Sequence, residues 1–146
     1  MKKYFLPVMT DAQAAAALDR AVAQVRINLP LYTEKCQNHS SVEGIYPACE
    51  NNQWTCGFWP GEVWLSYERT GDEAFRKTAE TLVESFAYRI DHKIEVDHHD
   101  MGFLYSPSCV AAYKLTGSEL GKQAAIKAAD QLISRFQPKG RFIQAW

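Results

Sequence analysis

The chain has 146 residues, 47% of them hydrophobic and 12% aromatic, enough to bury the core of one ordinary domain and too apolar for a disordered segment. Sixteen Lys and Arg against 17 Asp and Glu leave a formal charge of -1 with no basic stripe, so nucleic acid is not an expected partner. The opening residues Met1 to Met9 carry a short apolar patch broken by Pro7, too brief for a signal sequence or a membrane span, and this predicts a cytoplasmic protein with no membrane partner.

The first helix is expected from Thr10, a cap followed by Asp11, with Ala14, Leu18, Ala21, Val22, Val25 and Leu29 recurring at three and four until Pro30 ends it. Residues 31–53 show no period and hold Asn, Ser, Gly and Pro, the mark of a long excursion over one end of the fold. A second helix runs to Thr70 from about Trp59, since Pro60 is tolerated only near a helix start. Gly71 then ends it in a left-handed residue and Asp72 caps a third helix, striped by Ala74, Phe75, Thr78, Ala79, Leu82, Val83 and Phe86. After a polar loop, Ser106-Pro107 reads as the start of another helix, with Ser106 as its cap. It leads through Tyr113 to Gly117, and Ser118 caps the last helix, striped by Leu120, Ala124, Ala128, Leu132 and Phe136.

Two of these passages repeat. Tyr67-Glu-Arg-Thr-Gly-Asp-Glu73 and Tyr113-Lys-Leu-Thr-Gly-Ser-Glu119 match in register 46 residues apart, the length of two helices with their turns. The expected fold is therefore all-α, an array of helical hairpins. Such a unit leaves a face uncovered until a neighbour stacks on it, so the array must close into a ring or be capped, and the apolar end Phe142-Ile-Gln-Ala-Trp146 shows no polar cap.

The loop before Ser106 carries Asp97, His98, His99 and Asp100. Two carboxylates three residues apart suit an acid/base pair, or one of them caps the turn that follows; spacing does not choose. Zinc is not expected, because adjacent histidines on an extended segment point to opposite sides. Cys36, Cys49, Cys56 and Cys109 include no Cys-x-x-Cys pair and are expected as free thiols. Of the tryptophans, Trp64 falls inside the second helix as core, whereas Trp54, before the helix, suits ligand stacking and core packing equally. His39 and His92 read as exposed.

Trp54-x-x-Gly-Phe-Trp-Pro-Gly-x-x-Trp64-Leu-x-Tyr-Glu-x-Thr-Gly-Asp72 and His98-His-Asp-Met-Gly-Phe-Leu-Tyr-Ser106, in this order, resemble the N-terminal part of unsaturated glucuronyl hydrolases of glycoside hydrolase family 88. The resemblance runs from about Leu29 to Trp146. It implies an (α/α)6 barrel, a ring of six helical hairpins, of which about five of twelve helices are present, so that residues 1–146 form part of one domain. It implies hydration of the 4,5 double bond of an unsaturated uronic acid at the non-reducing end of glycosaminoglycan-derived oligosaccharides, with no metal or organic cofactor. A proton goes to C4 of the vinyl ether, water adds at C5, and the hemiketal opens to release the sugar.

By motif, Asp100 resembles the family's first essential aspartate, His99 a substrate contact beside it, and Trp54 the tryptophan flanking the unsaturated ring. The family's principal acid/base aspartate is expected about one and a half helices further on, beyond these 146 residues, so the chain alone is expected to be nearly inactive. Its open edge is expected to associate with another copy or with a complementary C-terminal chain. The related unsaturated rhamnogalacturonyl hydrolases, and a non-catalytic helical interaction module, are the alternative readings.

Overall fold

The computed structural model describes residues 9–145, so the readings made of Met1 to Val8 and of Trp146 lie outside the described residues. Thr10 opens the first helix, α1 (Asp11–Asn28), with a reciprocal cap: its hydroxyl accepts from the Gln13 N–H while the Gln13 side chain accepts from the Thr10 N–H. The helix passes through a 3-10 turn at Leu29–Leu31. Only the C-terminal end of the expected stripe is covered, Val25 and Leu29 being buried while Leu18 is 54% exposed. The aperiodic stretch that follows contains a short antiparallel ribbon, β1 (Cys36–Gln37) with β2 (Ala48–Cys49), in which Cys36 is the register partner of Cys49.

The two repeated passages build the same corner. Helix α2 (Phe58–Thr70) ends at Gly71, φ 69°, whose N–H returns to the Tyr67 carbonyl, and helix α5 (Ala111–Thr116) ends at Gly117, φ 73°, whose N–H returns to the Tyr113 carbonyl. A left-handed residue is nearly free of cost only for glycine. The next residue caps in both cases. Asp72 accepts from the Ala74 N–H to start α3 (Glu73–Asp91), and Ser118 accepts from the Gly121 N–H to start α6 (Glu119–Ile133). The α3 stripe is buried from Phe75 onward, against α2 on one side and α6 on the other, whereas Ala74 in the first turn is exposed. In α6 the inward face is Gly121, Ala124 and Ala128, so Ala124 and Ala128 of the expected stripe are buried while Leu120 is 47% exposed.

The expected helix start at Ser106-Pro107 is incorrect. Helix α4 (Met101–Tyr105) begins six residues before Pro107, and a π turn at Ser106–Val110 carries the proline within one continuous helical rod that ends in α5. Pro107 has no N–H to return and its ring would strike a carbonyl four residues back; widening the turn removes both conflicts. What holds the widened turn comes from α2. A Cβ on Gly57 would lie 2.1 Å from the Phe103 carbonyl oxygen, and one on Gly61 would lie 2.7 Å from Pro107 Cβ. Two glycines one helical turn apart thus let α2 rest directly on the 103–107 backbone.

A second small ribbon, β3 (Phe136–Gln137) with β4 (Phe142–Ile143), follows α6. Helices α1, α2, α3, the α4–α5 rod and α6 are five helical rods in an all-α array of hairpins. None of the described helices is long and apolar enough to cross a membrane.

Candidate active site

The loop between α3 and α4 is shaped by a buried arginine. Arg89 continues the apolar stripe of α3, is 1% exposed, and donates to the carbonyls of Ile94 (3.0 Å), Glu95 (2.7 Å) and Gln53 (3.0 Å) and to Asn51 Oδ1 (3.0 Å). Burial lowers its pKa. No carboxylate pairs with it among the described residues. Its planar fork holds Ile94 and Glu95 in place even though Lys93 and Glu95 sit at φ 55° and 44°, a region unfavourable to residues with a side chain.

From that anchor the chain builds the ionisable cluster one hydrogen bond at a time. The Glu95 carbonyl also accepts from His98 Nε2 (2.9 Å), which assigns the His98 proton to Nε2 and leaves Nδ1 to accept the Asp100 N–H (3.2 Å). Contrary to the expectation from an extended segment, the two histidines converge: His98 Nδ1 lies 3.5 Å from Asp100 Oδ2 and His99 Nε2 lies 3.3 Å from Asp100 Oδ1. The segment is a turn, and in a turn neighbouring side chains need not alternate. His99 Nδ1 contacts the Ala145 carbonyl at 3.0 Å, and since a carbonyl only accepts, Nδ1 carries a proton. Nε2 is therefore the ring nitrogen left facing Asp100 Oδ1, and the contact becomes an ion pair when the imidazole is protonated.

Asp100 is 9% exposed, and its carbonyl starts α4 by accepting from the N–H groups of Phe103 and Leu104. Its carboxylate makes no capping bond and is left for the histidines. Asp97 does not join it. It pairs with Arg135, whose guanidinium also reaches the Asp97, Gln144 and Ala145 carbonyls, so Arg135 fixes the strand end on which His99 leans. Of the two carboxylates, Asp97 has a side chain 82% exposed and engaged by a cation, whereas Asp100 faces the histidines.

Beside His99 lies an open cleft of about 690 Å³, lined by Phe58, His99, Gly102, Phe103, Ser106 and Pro107. Phe58 and Phe103 meet across it with centroids 5.6 Å apart. Trp54 stands 48% exposed on the turn before α2, four residues from Phe58, and is not core. Trp64 is buried, and His39 and His92 are exposed, as read. A smaller groove of about 330 Å³ runs between α1 and α2, but it brings no histidine or carboxylate pair together. Sequence reasoning missed Arg89 and Arg135. The signal for Arg89 was its place on the α3 stripe, three residues after Phe86, where a charged residue is buried for a reason.

No family model matches the chain. An unsaturated chondroitin disaccharide hydrolase of Streptococcus pneumoniae is 43% identical over 141 residues, 97% of this chain and 36% of that protein. An unsaturated glucuronyl hydrolase of a Bacillus species is 38% identical over 89% of this chain and 34% of its own length. The crystal structure of the Streptococcus agalactiae unsaturated glucuronyl hydrolase superposes with a TM-score of 0.93 at 41% identity, covering 97% of this chain and 36% of that one. An aspartate-to-asparagine mutant of the agalactiae protein, crystallised with dGlcA-GalNAc6S, gives a TM-score of 0.86 at 38% identity over 90% of this chain and 35% of its own. The chain spans about a third of the length of these relatives.

Proposed function

The chain belongs to the unsaturated glucuronyl hydrolase family, glycoside hydrolase family 88, and from that membership we propose that it forms one sugar-binding wall of an enzyme hydrating the unsaturated uronic acid of glycosaminoglycan disaccharides. The observation that carries this is the buried Asp100 carboxylate set 3.3 Å from His99, which lines an open cleft. A vinyl ether is already nucleophilic at C4, so its hydration needs one placed proton and a guided water rather than an activated nucleophile.

In this reading Asp100 binds ring hydroxyls beside the reacting carbons. Its negative charge raises the proton affinity of a second carboxylic acid supplied by later hairpins of the fold. His99 tunes and orients Asp100 and contacts the sugar at the cleft wall. Trp54 offers an indole face to the unsaturated ring. The exposed Leu18, Leu65, Ile126 and Ile133 are surfaces for further hairpins, in the same polypeptide or in another. A cytoplasmic setting fits four cysteines that form no disulfide.

Calorimetric titration with an unsaturated chondroitin disaccharide tests the binding role. Saturable binding that weakens in Asp100→Asn and in Trp54→Ala is the expected result, and absence of saturable binding overturns it. Turnover is followed separately by loss of the double bond's ultraviolet absorbance. The 146 residues alone are expected to lack the proton donor, a loss of about 10²- to 10⁴-fold. Robust turnover by them would show that Asp100 needs no such partner.

A further inference from the structure

Three of the four cysteines gather at a point the hydrolase reading does not use. Cys36 and Cys49 face each other across the β1–β2 ribbon, and Cys56 lies within hydrogen-bonding reach of both. Cys36 and Cys56 are buried at 1% and 0% exposure, and Cys49 is half-buried, so the cluster opens to solvent at Cys49. Cys109 is buried in the π turn.

The cluster has a place for one negative charge. The Cys36 thiol donates to the Cys56 sulfur, the Gln53 backbone and the Arg89 guanidinium also favour its anion, and Cys49 adds a further S–H. Together these outweigh burial and pull the Cys56 thiol down to about 6. The same charge pushes its neighbours up, Cys49 to about 12 and Cys36 further. Arg89, which has no carboxylate partner among the described residues, gains a counter-charge in the Cys56 thiolate. When protonated, Cys56 has its own outlet, the Glu50 carbonyl at 3.6 Å.

We propose that Cys56, Cys36 and Cys49 form a reversible oxidation site, in which a hydroperoxide oxidises Cys56 and one of the two neighbouring thiols closes it into an intramolecular disulfide. In the first step the Cys56 thiolate attacks the O–O bond. Sulfur takes one oxygen to become a sulfenic acid, and the other oxygen leaves with a proton as water or alcohol. In the second, Cys36 or Cys49 attacks that sulfur, the S–O bond breaks, and water leaves with the thiol proton. Two thiols are oxidised by two electrons and the peroxide is reduced by two. Cys56 follows Trp54 by two residues and precedes Gly57, so the disulfide ties the Trp54 turn to the ribbon.

The inference does not depend on the hydrolase reading. It is tested on the native chain with dilute hydrogen peroxide, thiol counting after denaturation, and mass mapping of unreduced peptides. The expected result is loss of two of the four thiols, a Cys56 peptide joined to Cys36 or Cys49, and full recovery with dithiothreitol. Retention of all four thiols overturns it, as does a disulfide through Cys109 or between chains, or sulfinic acid at Cys56 without a disulfide. Cys56→Ala should abolish the bridge and the thiolate absorbance titrating near pH 6, while Cys109→Ala should leave both. If Cys56→Ala does not fold, the peptide map of the native chain still decides.

Discussion

Replacing Gly57 by alanine probes the joint between the two motifs of the site, because Gly57 is where the Trp54 turn and α2 rest on the helix that Asp100 begins. The added methyl would sit 2.1 Å from the Phe103 carbonyl oxygen and 2.6 Å from both Cα and the carbonyl oxygen of Leu104. All three atoms are backbone, so no rotamer change relieves them, and restoring ordinary contact separates the segments by about 1 Å. Overpacking of this kind costs about 1–3 kcal/mol. Here the separation also loosens the buried Cys56, Trp59 and Leu104 around it, so about 3 kcal/mol or more is expected. For a chain of this size that lowers Tm by about 6–12 °C. The control is Gly102→Ala, where the added methyl meets nothing within 4 Å and the residue lies in α4. It should be neutral or gain about 0.5–1 kcal/mol. Urea unfolding followed by circular dichroism gives both values. A Gly57→Ala protein within about 0.5 kcal/mol of the parent would refute the close-approach argument.

Arg89→Met should cost about 3 kcal/mol, since it strands three part-buried acceptors, the Ile94 and Gln53 carbonyls and Asn51 Oδ1, at about 1 kcal/mol each while the Glu95 carbonyl keeps His98; the same urea series measures it, and a loss below about 1 kcal/mol would mean that water replaces the guanidinium. Trp54→Ala should leave stability within about 0.5 kcal/mol, the residue being 48% exposed, while weakening disaccharide binding about 3- to 10-fold; calorimetry of the two variants checks both halves. The Asp72 carboxyl is held below its ordinary value, first by the Ala74 N–H and then by Arg26 at 2.9 Å. Its folded pKa is depressed, so its stabilisation is complete above the unfolded value of about 3.9 and disappears as pH falls through the folded one. Urea midpoints of the parent and Asp72→Asn should therefore differ by a constant amount at neutral pH and converge in acid, and a difference that grows in acid would contradict the sign.

What could be read directly from the chain is what short-range chemistry decides. Thr-Gly-Asp and Thr-Gly-Ser announced two helix ends and two new helix starts, because a left-handed glycine and a side-chain cap act within four residues. The α3 stripe was legible for the same reason, as its period is a property of one helix. Asp100, His99 and Trp54 stood out by residue type and motif. The sequence did not show that both histidines turn toward Asp100, since that depends on Arg89 reaching from α3 to the Ile94 and Glu95 carbonyls while also holding Asn51 and Gln53. Nor did it show that Pro107 lies inside a helix. A proline is read locally as a start or a break, and only the arrival of Gly57 and Gly61 from a segment some fifty residues earlier gives the widened turn a backbone to rest against. The gathered cysteines have the same origin: no spacing in the chain brings them together, and it is the pairing of β1 with β2 that sets Cys36 opposite Cys49, within reach of Cys56 in the turn before α2. Sequence set the ends and faces of the helices because those interactions close over a few residues. Tertiary structure alone decided which ionisable groups meet, because that requires distant segments to exclude water around the same point.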